Sequence, residues 1–138
     1  MKIAVVYWSG TGNTEAMAKA VAEGAGEGAE ICPAAGFSAE AMDGYDAVAF
    51  GCPAMGAEEL EDSEFEPMFR ACRPKLNGKR IALFGSYGWG DGEWMRSWSD
   101  ACAADGAVLA SDFVICCEAP DEEALAACRA LGAALASA

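Results

Sequence analysis

Histidine is absent from this chain altogether. That removes the commonest general base and metal ligand, and with them triad hydrolases and histidine-based zinc sites. Bases are scarce as well: nine Lys and Arg stand against 22 Asp and Glu, a net charge of −13 over 138 residues. Such a surface repels nucleic acid and anionic lipid and attracts basic proteins. No apolar run approaches the roughly 18–20 residues that a membrane span needs. Met1-Lys2-Ile3 leads straight into a short apolar segment, without the pattern of a signal peptide. A cytoplasmic protein that engages neither membrane nor nucleic acid is expected. Cys-x-x-Cys spacing is missing too. Seven cysteines, at 32, 52, 72, 102, 116, 117 and 128, fit neither a disulfide framework nor iron–sulfur ligation. They read as reduced, mostly buried thiols, with adjacent Cys116-Cys117 a strand ending rather than a redox pair.

What is present is a packed globule. The apolar fraction is 54%, and the length suits one domain spanning 1–138. Short β-branched or apolar runs over 2–7, 46–51, 79–85 and 108–116 predict buried strands. A weaker strand is predicted over 30–34, where Pro33 confines it to an edge. Helical spacing predicts a helix from 13 to about 27, ended by Gly24, Gly26 and Gly28. Further helices are predicted over 63–76 (irregular, with Phe65, Met68, Phe69 and Cys72 on one face), 91–105 and 121–136. The stretch 37–45 reads as loop or one short helix. Strands alternating with helices predict an α/β fold, a doubly wound five-stranded parallel sheet with helices on both faces. Such sheets bind ligands beyond the carboxyl ends of their strands.

Three of those strand ends carry unusual loops. The first is Ser9-Gly10-Thr11-Gly12-Asn13-Thr14, which opens a helix directly. Glycines let successive N–H groups converge, the helix N-terminus adds partial positive charge, and Ser9, Thr11 and Thr14 add hydroxyls. That is a phosphate cradle, although a Gly/Thr turn alone is as readily plain punctuation. Without a Gly-Lys-Ser/Thr step it is no Walker loop, and Glu15 replaces the third glycine of a dinucleotide fingerprint. An uncharged cradle for one terminal phosphate remains.

Together with the preceding Val6-Tyr7-Trp8, this loop resembles the phosphate loop of the flavodoxin family. Two more stretches match the same family in register: Gly51-Cys52-Pro53-Ala54-Met55-Gly56-Ala57-Glu58-Glu59-Leu60 and Gly85-Ser86-Tyr87-Gly88-Trp89-Gly90-Asp91-Gly92. The likeness runs nearly the whole chain and is closest to the short-chain type of anaerobic bacteria, since no insertion of ~20 residues interrupts 108–116. It implies the family's strand order 2-1-3-4-5 and non-covalently bound flavin mononucleotide (FMN) at the switch point. It implies a low-potential one-electron carrier, not an enzyme, that substitutes for ferredoxin. Its partners would be redox proteins with basic docking faces, of the pyruvate oxidoreductase or hydrogenase type, met by a monomer.

The resemblance also assigns roles. Ser9, Gly10, Thr11, Gly12, Asn13 and Thr14 would hold the phosphate, with Ser86 and Tyr87 at phosphate and ribityl. Trp89 would stack on the outer face of the ring and Met55 on the inner one, within the loop Pro53, Ala54, Met55, Gly56, Ala57 and Glu58. Glu58 would meet the flavin N3–H, and backbone N–H groups of 57–59 and of Gly88, Trp89 and Gly90 would meet the ring carbonyls. Gly56 would carry the redox switch, its peptide turning a carbonyl to N5 for roughly one hydrogen bond, ~1 kcal/mol or about 40 mV. Two departures stand out: Ala57, where residues tolerant of positive φ are common, and Pro53, where some relatives place a phosphate-binding serine. The acid-rich stretch 58–66 reads as a solvated face at a helix N-terminus or as a docking patch.

Three rivals share the topology. A flavin enzyme such as a quinone reductase needs an open ring face, which Trp89 would close. A phosphoacceptor receiver needs paired acids and an acceptor Asp, where this chain has Trp8-Ser9-Gly10 and Gly51-Cys52-Pro53. A non-redox FMN store differs only in whether electrons move to partners.

Overall fold

Ile3, Ala4, Val5 and Val6 are all fully buried, as a strand covered on both faces requires. In the computed structural model, which describes residues 2–55, 59–88 and 90–137, they lie in β1 (Ile3–Tyr7), an interior strand of the sheet. β1 pairs in parallel with β2 (Ala29–Pro33) on one side and β3 (Ala47–Gly51) on the other. β3 pairs with β4 (Arg80–Tyr87), which pairs with β5 (Val108–Leu109) and β6 (Val114–Cys117). The order is 2-1-3-4-5, with β6 continuing the fifth position along β4.

Helices cover both faces. Ile3 and Val5 turn to one side and pack with Met17 and Val21 of α1 (Asn13–Ala25) and Leu131 and Leu135 of α5 (Glu122–Ala136). Ala4 and Val6 turn to the other side, which α2 (Ala39–Met42), α3 (Phe65–Cys72) and α4 (Glu93–Ala104) cover with Met42, Phe69 and Trp98. The side-chain period of two thus splits one sheet between two cores. Ser38 and Asp121 cap α2 and α5, their side chains accepting from the N–H groups of Ala41 and Ala124.

Some boundaries differ from the sequence reading. The run 108–116 is not one strand. Between the pairs Ile81↔Leu109 and Phe84↔Val114, residues 110–113 lie opposite only 82 and 83. The surplus makes a bulge at exposed Ser111 and Asp112, and pairing resumes at Val114. Gly24 does not end α1 but lies inside it, because α5 packs there; a Cβ on Gly24 would sit 1.9 Å from the Arg129 carbonyl oxygen. Gly26, with φ +91°, is the residue that stops the helix. The expected helix over 63–76 is α3 followed by a 3-10 turn at Arg73–Lys75, where Pro74 stands at the start of the turn. β2 is an edge strand, as Pro33 requires. All seven cysteines are free, and Cys52, Cys72, Cys102 and Cys128 are buried.

Candidate functional site

The site lies where β1, β3, β4 and β6 end. After β1 the chain turns through Trp8, whose N–H donates to the Gly51 carbonyl at 3.0 Å. Gly12 then starts α1 with φ +94°, a left-handed conformation open to glycine. Two hydroxyl oxygens shape the turn from within: Ser9 Oγ accepts from the Gly12 N–H at 3.0 Å and Thr11 Oγ1 from the Asn13 N–H at 3.5 Å. Each hydroxyl keeps its own hydrogen for a further acceptor. The Trp8 ring lies over Gly10, where a Cβ would meet its Cη2 at 3.1 Å. The indole Nε1 donates to Glu64 at 3.3 Å, tying the loop to the start of α3. Thr14, at 1% exposure, has a hydroxyl with no partner among the described residues.

The second loop is pinned to the third. Cys52 N–H donates to the Phe84 carbonyl at 3.2 Å, and Ala54 N–H to that of Ser86 at 3.0 Å. Met55 and Glu59 exchange two backbone hydrogen bonds of 2.9 Å each. Gly56, Ala57 and Glu58 lie outside the described residues, as does Trp89, so the switch, the N3–H contact and the outer stacking partner stay expectations from resemblance.

Glu61 corrects the reading of 58–66 as a solvated acidic face. It is buried, and its carboxylate accepts from the N–H groups of Ser63, Glu64 and Phe65 at 2.8, 2.8 and 2.9 Å and from the Ser63 hydroxyl. Burial pushes its carboxyl up, but those four hydrogen bonds outweigh it and bring the pKa to about 2. The residue anchors the start of α3. Cys52 is fully buried, and burial pushes its thiol up to about 12, against a lowering hydrogen bond from the Glu61 N–H, which keeps it protonated at neutral pH.

The third loop leaves β4 with Ser86 buried. The Tyr87 carbonyl accepts from the Glu118 N–H at 2.7 Å, and Gly90 follows with φ +89°. These loops surround a cavity of about 590 Å³. Of the expected site residues, Gly10, Thr11, Asn13, Pro53, Ala54, Met55, Ser86, Tyr87 and Gly88 line it. Ser9, Gly12, Thr14 and Gly90 do not line it, although Ser9 and Gly12 shape the loop that does. Glu118 and Ala119 also line it without any sequence motif marking them, as does Trp8, which stands in the loop motif but carries no expected site role. The signal for Glu118 and Ala119 was positional, since they follow β6 at the carboxyl end of the sheet. Glu118 is the one described non-glycine residue with positive φ, +59°.

A phosphate-bearing ligand fits these residues. The buried Thr14 hydroxyl lacks an acceptor among the described residues, the α1 N-terminus favours an anion, and the cavity lined by Gly10, Thr11 and Asn13 has the volume of a mononucleotide site. Fold and site define a doubly wound α/β protein of the mononucleotide-binding class. The family model for flavodoxin matches residues 5–132. The chain is 45% identical to a flavodoxin of Megasphaera elsdenii over 139 aligned positions, 99% of each chain. It is 43% identical to a flavodoxin of Clostridium beijerinckii, over 86% of this chain and 88% of that one. The solution structure of two-electron reduced Megasphaera elsdenii flavodoxin superimposes with a TM-score of 0.89 over 99% of both chains. An archaeal flavodoxin at 26% identity gives 0.84, covering 99% of this chain and 96% of that one. The chain belongs to the flavodoxin family, FMN-carrying electron-transfer proteins that act with redox partners and are not enzymes.

Proposed function

We propose that this chain, as a single domain over 1–138, is a low-potential one-electron carrier that holds FMN non-covalently and replaces ferredoxin toward its partners. The loop that opens α1 carries the reading: Gly10, Thr11 and Asn13 line the cavity at a helix N-terminus, and the next residue, Thr14, buries a hydroxyl with no partner among the described residues, which a phosphate oxygen would match. Bound FMN supplies a centre that accepts and releases single electrons. The chain's own residues bind and orient it. The loop 9–14 grips the phosphate without a lysine. Ser86 and Tyr87 flank the ribityl chain. Pro53, Ala54 and Met55, which line the cavity, would keep water from one face of the ring, and by family resemblance Trp89 would cover the other. By family resemblance Glu58 would hold the N3–H, and the Gly56 peptide would offer its carbonyl to N5.

The partners are redox proteins with basic faces, of the ferredoxin-dependent oxidoreductase class, and the carrier meets them as a cytoplasmic monomer. The charge of −13 supports this. Among the described residues no helix is long and apolar enough to cross a membrane.

The test is titration of the flavin-free apoprotein with FMN and with riboflavin, followed by stepwise reduction of the loaded protein under argon. Quenched FMN fluorescence, weaker riboflavin binding and two separate one-electron steps are expected. A colourless protein that leaves FMN fluorescence unchanged would overturn the reading.

A further inference from the structure

Neither Cys52 nor Glu61 lines the flavin cavity, yet the second of its loops runs between them. That loop leaves the sheet at Cys52, directly after β3, and returns at Glu61, ahead of α3. On its outgoing side the N–H groups of Cys52 and Ala54 donate to the carbonyls of Phe84 and Ser86 at 3.2 and 3.0 Å. Met55 and Glu59 then pair across the loop. The returning side is fastened through a side chain. The Glu61 N–H donates to Cys52 Sγ at 3.3 Å, and the thiol donates in turn to the Pro53 carbonyl at 3.5 Å. Pro53 lines the cavity.

A neutral thiol can accept and donate at once, each weakly. Cys52 has no exposed surface, so water does not compete for either bond. Glu61 is held from behind. Its carboxylate gathers the N–H groups of Ser63, Glu64 and Phe65, and Phe65 is fully buried with its ring edge-on to Trp98. A continuous line of contacts thus runs from the core through Phe65, Glu61 and Cys52 to Pro53 at the cavity wall. A loop fastened in this way has given up its freedom on folding. An unfastened loop would be ordered only by the ligand, and affinity would fall by that cost.

We propose that Cys52 and Glu61 are positioning residues for the flavin: touching none of it, they set the second loop in place before FMN arrives. The proposal rests on the FMN reading and adds two residues to it. It also separates two kinds of binding residue. Groups at the phosphate distinguish FMN from riboflavin, whereas a brace on the ring loop serves both ligands equally.

The experiment measures FMN and riboflavin affinity by fluorescence for the parent, Cys52→Ala, Cys52→Ser, Glu61→Gln and Gly132→Ala, and follows amide exchange by NMR in the flavin-free proteins. Cys52→Ala and Glu61→Gln should each weaken both flavins alike, by about fivefold or more, the worth of one hydrogen bond. Cys52→Ser, which keeps a donor and an acceptor, should recover most of the loss. The amides of Met55 and Glu59 should exchange about fivefold faster in Cys52→Ala and Glu61→Gln, with that of Val5 in β1 unchanged. Gly132→Ala strains the α1–α5 contact instead, and should lower stability while leaving both affinities as they were. Variants that lose stability but keep both affinities overturn the inference and leave the FMN reading intact. A loss confined to FMN overturns it too, because the effect would then lie at the phosphate. So does Cys52→Ser behaving like Cys52→Ala, since volume rather than hydrogen bonding would then explain the thiol. A parent that ignores FMN overturns the flavin reading and the inference together.

Discussion

Thr14 and Glu61 show how differently two buried polar side chains behave. Thr14 leaves its hydroxyl unmatched among the described residues, which is a cost unless a ligand removes it. Replacing it by Val should therefore weaken FMN roughly 10- to 150-fold, the effect of about 1.5–3 kcal/mol for a hydrogen bond to a charged group. Riboflavin, which has no phosphate, should bind the variant as it binds the parent; fluorescence titration with both ligands checks this. Glu61 is fully matched, and its folded pKa of about 2 lies below the ordinary carboxylate value of 4.5. Its ionised form stabilises the fold wherever pH exceeds the unfolded pKa, and that contribution disappears as pH falls from about 4.5 toward 2. Urea unfolding at pH 6, 4.5 and 3 should show the parent losing stability over this window. Glu61→Gln should be weaker at pH 6 by about 0.5–2 kcal/mol, the usual worth of a helix-start anchor, and should lose less on acidification.

At the scale of elements, α1 and α5 pack backbone to backbone. Their backbones come together at Gly24 and Gly132, where an added Cβ would lie 1.9 Å from the Arg129 oxygen and 2.0 Å from the Val21 oxygen. Both contacts are to main chain, so no side chain can move aside. Gly132→Ala must push the helices apart and disturb Ile3, Val5, Met17 and Leu135 beneath them. A cost of about 1–3 kcal/mol follows, or a fall in Tm of roughly 3–12 °C. Alanine is the better helix former, so the opposite outcome in calorimetry would show that this contact is loose. The bulge at 110–113 is a second property of elements rather than residues. It lets β6 run on beside β4, which brings Glu118 and Ala119 to the cavity.

Across the whole molecule, charge decides. A carboxylate ~10 Å from the flavin, at an effective dielectric between ~40 and ~80, opposes added negative charge by ~0.4–0.8 kcal/mol, about 15–35 mV. A phosphate cradle without lysine and a net charge of −13 add such effects together. The second one-electron couple of bound FMN should therefore lie well below that of free FMN, as spectroelectrochemistry would show; near-equal couples would contradict it. The same charge should make electron transfer to a basic acceptor such as cytochrome c fall roughly tenfold or more between about 0.02 and 0.3 M ionic strength in stopped flow, because surface charges are screened over about 10 Å at 0.1 M. An unchanged rate would mean that docking is governed by shape.

Local pattern determined much of this protein. Buried β-branched runs spelled out β1, β3 and β4, and glycines and hydroxyls at 9–14 spelled out a loop that turns amides toward an anion, because those traits depend on neighbours a few residues away. Tertiary structure decided the rest. No local pattern distinguishes Glu61 from Glu59 or Glu64; only the packing of α3 against Cys52 buries one and leaves its neighbours to solvent. Gly24 looks like a helix stop until α5 arrives beside it. Trp8, Glu118 and Ala119 reach the cavity because β4 holds β3 on one edge and β6 on the other. Side-chain chemistry is written residue by residue, whereas burial and proximity come from which distant segments share a surface.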